Sequence, residues 1–302
     1  MTHGSPVLVT GATGTIGRRL LSHLPGARVL SRDAARASAR LGVPAFAWDG
    51  AGEVPREALE GVSAVVHLAG EPVAEGRWTP QKKRAIEASR VEGTRALVAS
   101  LRKHDAHPAV LVSASAVGFY GDRGDEVLDE ASAPGSDFLA GVCVGWEREA
   151  REAEALGVRV VCLRLGVVFD REGGALPRMR APFLAGVGGP LGTGRQWVPW
   201  VHADDVVGLA LHALEADVRG PLDVVSPEPV RNESLTRALA AALHRPAFLR
   251  VPAFALRAAL GEVAAVVLAS QRVVPRVATA SGYRFRHPTL EGALRDLLAP
   301  AR

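Results

Sequence analysis

Three glycines set the first chemical expectation. Gly11-Ala-Thr-Gly14-Thr-Ile-Gly17 follows the apolar run Val7-Leu-Val-Thr10 and opens a stretch with helical spacing, Ile16, Leu20, Leu21 and Leu24. A strand, a glycine turn and a helix in that order can hold a dinucleotide pyrophosphate. Gly11 permits the tight turn, Gly14 lets the backbone approach the phosphates, and Gly17 lets helix and strand pack closely. The helix start adds free N–H groups and a partial positive charge, so Thr13, Thr15 and Ile16 join the glycines as expected cofactor contacts. Cofactor choice is read about 20 residues further on, at the end of the second strand. There the chain has Leu30-Ser31-Arg32-Asp33. Arg32 offers charge-assisted bonds to a 2′-phosphate and Ser31 a hydroxyl, whereas Asp33 argues for a 2′-hydroxyl. The balance favours NADP(H), with NAD(H) as the alternative.

A second group lies at later strand ends. In His67-Leu68-Ala69-Gly70-Glu71, the residues Leu68, Ala69, Gly70 and Glu71 form a small-residue turn where the cofactor's ribose and phosphates are expected. His67 itself reads as a packed strand residue. Chemistry on a bound dinucleotide also needs a proton donor or an oriented water. Ser115 and Tyr120, in Ser113-Ala-Ser-Ala-Val-Gly-Phe-Tyr-Gly121, are the candidates, and Tyr283 is the only other tyrosine. Glu147 reads as an acid/base or, in preference, as an exposed helix carboxylate, and Cys143 as a small buried thiol in preference to a reactive thiol in the pocket, because no paired base accompanies it. Arg90, Trp146 and Trp200 come from segments expected to border a cleft, and aromatic faces beside guanidinium groups suit a flat or anionic ligand.

These residues need a scaffold, and the rest of the chain supplies one. Short Val- and Leu-rich runs at Val7–Thr10, Ala27–Leu30, Ala45–Trp48, Ala64–Leu68, Val110–Ser113 and Val158–Leu163 alternate with segments of helical spacing. The alternation predicts an α/β Rossmann fold, a doubly wound parallel sheet covered on both faces, with a smaller C-terminal substrate lobe. Residues 1–175 form the expected NAD(P)-binding domain and 176–302 the lobe, with a re-entry of the chain into the sheet near 200–230. Gly173 to Gly194 reads as a Gly/Pro-rich loop across a cleft. Ala203–Leu214 reads as a helix with Asp204 and Asp205 as caps.

Composition narrows the function classes. The chain has 302 residues, 48% of them hydrophobic and 23% charged, with a net charge of +4 whose basic residues are scattered. That pattern argues against a nucleic-acid partner. Two cysteines, Cys143 and Cys162, without patterned histidines make no common zinc site, so no metal is expected. The longest apolar stretch, Val263–Ala269, is far short of the ~20 residues that span a bilayer. With the first strand starting at Val7, no leader is expected. A cytoplasmic protein acting on a small molecule follows as the expectation; oligomeric state is left open.

With these residues in hand, the chain resembles the extended short-chain dehydrogenase/reductase superfamily. More narrowly, it resembles its atypical epimerase-like subfamily, which joins an NAD-dependent epimerase/dehydratase-type N-terminal domain to a small C-terminal domain of unknown function. The motifs that carry the resemblance run nearly end to end: VLVTGATGTIG from Val7, HLAGEPV from His67, RWTPQKKRAIEASRVEGT from Arg77, SASAVGFYG from Ser113, GVCVGWE from Gly141, GGPLGTGRQWVPWVHADDVV from Gly188 and SPEPVRNESL from Ser226. The resemblance implies a serine, tyrosine and lysine, the last two in a YxxxK motif, often with an asparagine. Ser115 matches the serine. Leu139 and Cys143 stand at the tyrosine and lysine places, and Arg90 where asparagine is usual. Leucine moves no proton and a thiol is no permanent cation. Two functions therefore follow. One is an NADP(H)-dependent oxidoreductase or isomerase using Ser115 and Tyr120. The other is a non-catalytic NADP(H)-binding sensor, partner or assembly protein.

Overall fold

The computed structural model describes residues 5–299. In chain order the strands among the described residues are β1 Val7–Thr10, β2 Arg28–Ser31, β3 Ala45–Ala47, β4 Ala64–His67, β5 Val110–Ala116, β6 Val127–Leu128, β7 Arg159–Leu165, β8 Val167–Phe169, β9 Trp197–Val198, β10 Trp200–His202, β11 Gly220–Val224, β12 Val230–Arg231 and β13 Arg272–Val273. Seven of them make one sheet in the order β11-β7-β5-β4-β1-β2-β3, every neighbouring pair parallel. The order reverses at β1, so a crevice opens beyond the carboxyl ends of β1 and β4, where ligands of such sheets bind.

Strand burial explains why the apolar runs read as continuous. Val7 and Val9, Ala64 and Val66, and Val110 and Val112 face one core cluster, while Leu8, Val65 and Leu111 between them face the other. Alternate side chains leave opposite faces of a strand, and both faces of this sheet are covered. The first face is covered by Leu20 of α1 (Thr15–Leu21) and by Val206, Leu209, Ala210 and Ala213 of α7 (Ala203–Glu215). The second is covered by Leu97, Val98 and Leu101 of the long helix Pro80–Lys103 and by Ala150 of the helix Phe138–Arg151.

The chain leaves the sheet after β7 and returns with α7 and β11, so sheet and lobe interleave along the sequence. The lobe has its own core of Phe169, Leu176, Phe183, Trp200, Leu235, Leu239 and Leu294. The expected loop from Gly173 to Gly194 contains the helix Leu176–Leu184. Pro177 near its first position suits a helix start, and Leu176 and Phe183, two turns apart, bury one face in the lobe. Asp204 and Asp205 do not cap α7. His202 does, its Nδ1 accepting the Asp204 N–H at 3.0 Å. Asp205 instead accepts the backbone N–H groups of Arg286 and His287 and the Tyr283 hydroxyl, tying a distant segment to the helix. No helix among the described residues is long and apolar enough to cross a membrane.

Candidate functional site

The glycine turn is built as close packing demands. Gly11 has φ +68°, and a Cβ there would lie 2.7 Å from the carbonyl of Leu68. A Cβ on Gly17 would lie 2.4 Å from the Gly11 oxygen and 2.6 Å from Ala12 Cα. Helix α1 therefore abuts β1 directly, its start flanked by exposed Thr13 and Gly14 and half-buried Thr15 and Ile16. This cradle, which side chains would fill, fits a pyrophosphate. Gly173 closes over it: a Cβ there would meet Thr15 Oγ1 at 2.2 Å. A cavity of about 230 Å³ at this helix start is lined by Thr15, Arg18, Arg19, Asp170, Arg171 and Glu172.

At the end of β2, Asp33 caps the helix Ala34–Leu41, its Oδ1 accepting the Arg36 N–H at 2.9 Å. Ser31 Oγ donates to the Asp33 carbonyl and accepts its N–H, holding the bend. Exposed Arg32 makes no hydrogen bond or ion pair among the described residues. The acid is engaged in the fold and the cation is free.

The turn after β4 is gripped from two sides. Thr10 Oγ1 accepts the N–H groups of Leu68 and Ala69, both at 3.1 Å, and lies 2.7 Å from His67 Nδ1. With two N–H groups already received, the Thr10 hydroxyl donates to Nδ1, and His67 Nε2–H donates to Thr94 Oγ1 at 3.0 Å. His67 is thus the packed strand residue its sequence suggests. Glu71, expected at the cofactor, is held by the helix that follows. Its N–H goes to Ser89 Oγ, its carbonyl receives Arg90 Nη1, and its carboxylate receives Lys82 Nζ at 2.6 Å. Glu71 anchors the turn to α4 (Pro80–Lys103), which follows α1, α2 (Ala34–Leu41) and α3 (Arg56–Leu59) in the chain.

Burial lowers the His67 pKa to about 4, which makes a prediction. Below pH ~6.5 the unfolded chain takes up a proton that the folded one refuses until about pH 4. The neutral ring's contribution is complete above pH ~6.5 and is lost as the pH falls towards 4, in total on the order of 3 kcal/mol. Denaturant unfolding at pH 7 and pH 4.5 should show this acid limb in the native chain and a shallower one in His67→Gln.

The sheet register assembles a buried polar row. Ser115 on β5 pairs with Arg164 on β7, and Arg164 with Asp223 on β11. Ser115 Oγ donates to Glu147 Oε1 at 2.7 Å, and Arg164 forks the same carboxylate at 2.8 and 2.9 Å. Tyr120 donates to Asp223 at 2.8 Å and accepts from Arg164 Nη1 at 3.0 Å. Glu130 Oε1 accepts the Asp223 N–H at 3.1 Å. Burial, and next the charge of Glu130, push the Asp223 pKa well up.

Two expectations change here. Tyr120 is fully buried, and burial followed by the Asp223 carboxylate pushes its hydroxyl far above the ordinary tyrosine range. It is a structural member of the row, with no free face for a ligand. Glu147 is not exposed: 8% accessible, it is the row's central acceptor. Arg164, Asp223 and Glu130 were not singled out from sequence. A lone charge inside an apolar strand, as in Arg159-Val-Val-Cys-Leu-Arg164-Leu, is the signal that could have found Arg164.

On α5 (Phe138–Arg151) the two departures from YxxxK face the loop after β5. A Cβ on Gly118 would touch Leu139 at 3.4 Å and Cys143 Sγ at 3.9 Å. Burial, and next Glu147, push the Cys143 thiol up to about 12, so it stays a thiol. Arg90 reaches across from α4. Its Cζ lies 5.1 Å from the Trp146 ring centre, and a Cβ on Gly70 would lie 3.2 Å from it. The structure thus brings Gly70, Arg90, Cys143 and Trp146 together beside Ser115. Trp200 is not among them. It is 1% exposed, stacked on Phe169 at 5.8 Å, with its indole N–H on the Glu228 carbonyl. The parallel pairing of β10 with β8 turns it into the lobe core.

One cluster has metal-ligand residue types: atoms of His202, His287 and Asp296 lie within 4.8 Å of one another. His202 Nδ1 accepts a backbone N–H, so in the neutral ring the proton sits on Nε2, which faces Asp296 at 3.3 Å. The nitrogen that would bind a metal carries the proton.

The chain is similar to known proteins along nearly its whole length. Residues 7–225 match the NAD dependent epimerase/dehydratase family, and residues 251–297 match DUF1731, a domain of unknown function. An Arabidopsis thaliana protein, "Epimerase family protein SDR39U1 homolog, chloroplastic", is 41% identical over 97% of this chain and 86% of its own length. "Epimerase family protein YfhF" of Bacillus subtilis is 37% identical over 97% and 98%. The crystal structure of human epimerase family protein SDR39U1 (isoform 2) with NADPH superposes with a TM-score of 0.86 at 33% identity, covering 97% of this chain and 99% of that one. A UDP-glucuronic acid 4-epimerase from Bacillus cereus, at 16% identity and a TM-score of 0.78, shares the fold. With the glycine cradle intact and the match spanning the whole sheet, this chain belongs to the NAD dependent epimerase/dehydratase family.

Proposed function

We propose that this chain binds NADP(H) in preference to NAD(H) and uses it in an oxidoreductase or isomerase reaction on a small carbinol or carbonyl compound. The observation that carries the reading is the division of labour after β2: Asp33 is committed to a helix cap while Arg32 stands free beside it. A free guanidinium fits a 2′-phosphate. The NADPH in the similar human structure supports the same choice.

When bound, the nicotinamide supplies the hydride donor or acceptor. The protein's part is to hold and move a proton at Ser115. Because Ser115 donates to Glu147, its Oγ lone pairs are left for a substrate hydroxyl. As that hydroxyl gives its proton to Oγ, the serine's own proton passes to Glu147 Oε1; reduction of a carbonyl runs the same transfers backwards. Arg164 holds the carboxylate in place through two hydrogen bonds. Tyr120, bound to Asp223, takes no part.

A second reading, NADP(H) binding without turnover, is favoured by one observation. Ser115 and Tyr120 are both buried and both already hydrogen-bonded to carboxylates.

Titration separates the readings. Arg32→Glu is expected to weaken NADPH binding by about a hundredfold, the loss of one charge-assisted contact plus a new repulsion, and to leave NADH nearly unchanged. Equal losses for both cofactors would remove the NADP preference. Oxidation of bound NADPH by any member of a carbonyl panel, abolished in Ser115→Ala, supports the enzyme; tight binding with no oxidation by the whole panel supports the binding protein.

A further inference from the structure

We propose that Arg90 and Trp146 form an anion subsite beside Ser115, and that the substrate carries a carboxylate or phosphate group that binds there. This rests on the dinucleotide reading above and adds a substrate class to it.

Arg90 Nη1 is spent on the carbonyls of Glu71 and Ile86, at 3.0 and 3.2 Å, and sits 3.4 Å from Ser89 Oγ. Its Nη2 and Nε make no hydrogen bond among the described residues. The carboxylates around it are already engaged: Glu71 holds Lys82, and Glu147 holds Arg164 and Ser115. The neighbouring Cys143 remains an uncharged thiol near neutral pH, its pKa pushed up to about 12. A half-buried guanidinium is thus left with no ion pair of its own among the described residues, attracted by Glu71 only from beyond salt-bridge distance and pinned by one of its three nitrogens.

Trp146 repeats the pattern. It is 4% exposed, and its indole Nε1 is buried with no acceptor. Buried donors in folded proteins are nearly always paired, and an orphan calls for a ligand or an ordered water. Here the orphan belongs to the aromatic ring over which the unpaired guanidinium lies. Two neighbouring donor groups without acceptors suit the oxygens of a carboxylate or phosphate, and arginine's planar fork suits them better than lysine's point charge.

Cofactor phosphates have places elsewhere. The Gly11–Gly17 cradle and the start of α1 suit the pyrophosphate, and Arg32 the 2′-phosphate. Arg90 lies instead under Gly70, within reach of the floor that Ser115 and Cys143 make. An anionic group held there would fix the substrate relative to the serine hydroxyl.

The test uses full-length protein loaded with NADPH, with oxalate and inorganic phosphate as probes, followed by calorimetry and by the fluorescence of the bound NADPH. Wild type is expected to bind at least one probe, the tighter of the two identifying the substrate's group as carboxylate or phosphate. Arg90→Met should weaken that probe by about tenfold or more and Trp146→Phe by about threefold, with NADPH affinity changed by less than about twofold. If Arg90→Met fails to fold in a thermal melt, Arg90→Gln carries the same comparison, since it keeps a donor for the Glu71 carbonyl. Unchanged probe affinity in the folded variant overturns the proposal. So does an equal loss of NADPH affinity, which would assign the cation to the cofactor, and so does the absence of probe binding to NADPH-loaded wild type. A wild-type chain that binds no NADPH refutes the preceding reading instead, and the separate NADPH titration reads that directly.

Discussion

Gly17→Ala is expected to abolish dinucleotide binding at ordinary cofactor concentrations. The added methyl would sit 2.4 Å from the Gly11 oxygen and 2.6 Å from Ala12 Cα, both backbone atoms with no rotamer to escape into. Helix α1 must therefore retreat from β1 by about 1 Å to reach ordinary contact distance. That displacement moves the N–H groups at the helix start away from the phosphates they serve. Charge-assisted hydrogen bonds of this kind are worth about 1.5–3 kcal/mol each. Losing two lowers affinity by about a hundredfold or more. The control is Gly141→Ala on α5, where a Cβ meets nothing within 4 Å. That change should leave binding intact and raise stability by about 0.5–1 kcal/mol, the helix preference of alanine over glycine. Cofactor titration alongside thermal unfolding checks both. Gly17→Ala with native affinity would mean that the turn's packing does not govern the site.

The second large effect concerns stability. Arg164→Met should cost about 3–5 kcal/mol, because it leaves the buried Glu147 carboxylate without its cation and removes a donor from Tyr120. For a chain of this size that corresponds to a melting temperature lower by about 10 °C. Ser115→Ala removes one hydroxyl from the same carboxylate and should cost less, about 1.5–3 kcal/mol. The comparison separates two kinds of residue in one row. If Arg164 is structural and Ser115 chemical, Tyr120→Phe lowers the melting temperature and keeps turnover per folded molecule, whereas Ser115→Ala loses turnover with a smaller shift in melting. A Tyr120→Phe protein that melts normally but turns over no substrate would return the tyrosine to the chemistry.

Much of the scaffold was legible because its determinants are local. The glycine turn needs a strand before it and a helix after it, and all three lie within Val7–Leu21. The apolar strand runs report a sheet buried on both faces, and their ends differ from β1, β2, β4, β5 and β7 by only a few residues. The end of β2 was legible for the same reason: it lies a short, nearly constant distance from the turn. The helix Leu176–Leu184 was not, because Gly and Pro around it dominate the local pattern, while its stability comes from burying Leu176 and Phe183 in the lobe core.

The floor of the candidate site was decided by tertiary structure. Ser115, Arg164 and Asp223 become neighbours only through the register of three parallel strands whose connections run through helices, and no spacing within one segment encodes that pairing. Tyr120 carries the same side chain wherever it sits. Only its burial against Asp223 and Arg164 turns a candidate acid into a structural hydroxyl. Trp200 could face cleft or core from sequence, and its strand pairing chose the core. By itself the sequence determined a glycine turn between strand and helix, its sheet and a free cation at the end of β2, since these depend on contacts within one strand–turn–helix unit and the strand that follows. Which polar groups are free to meet a substrate depends on contacts between segments far apart in the chain, and only the folded structure decides those.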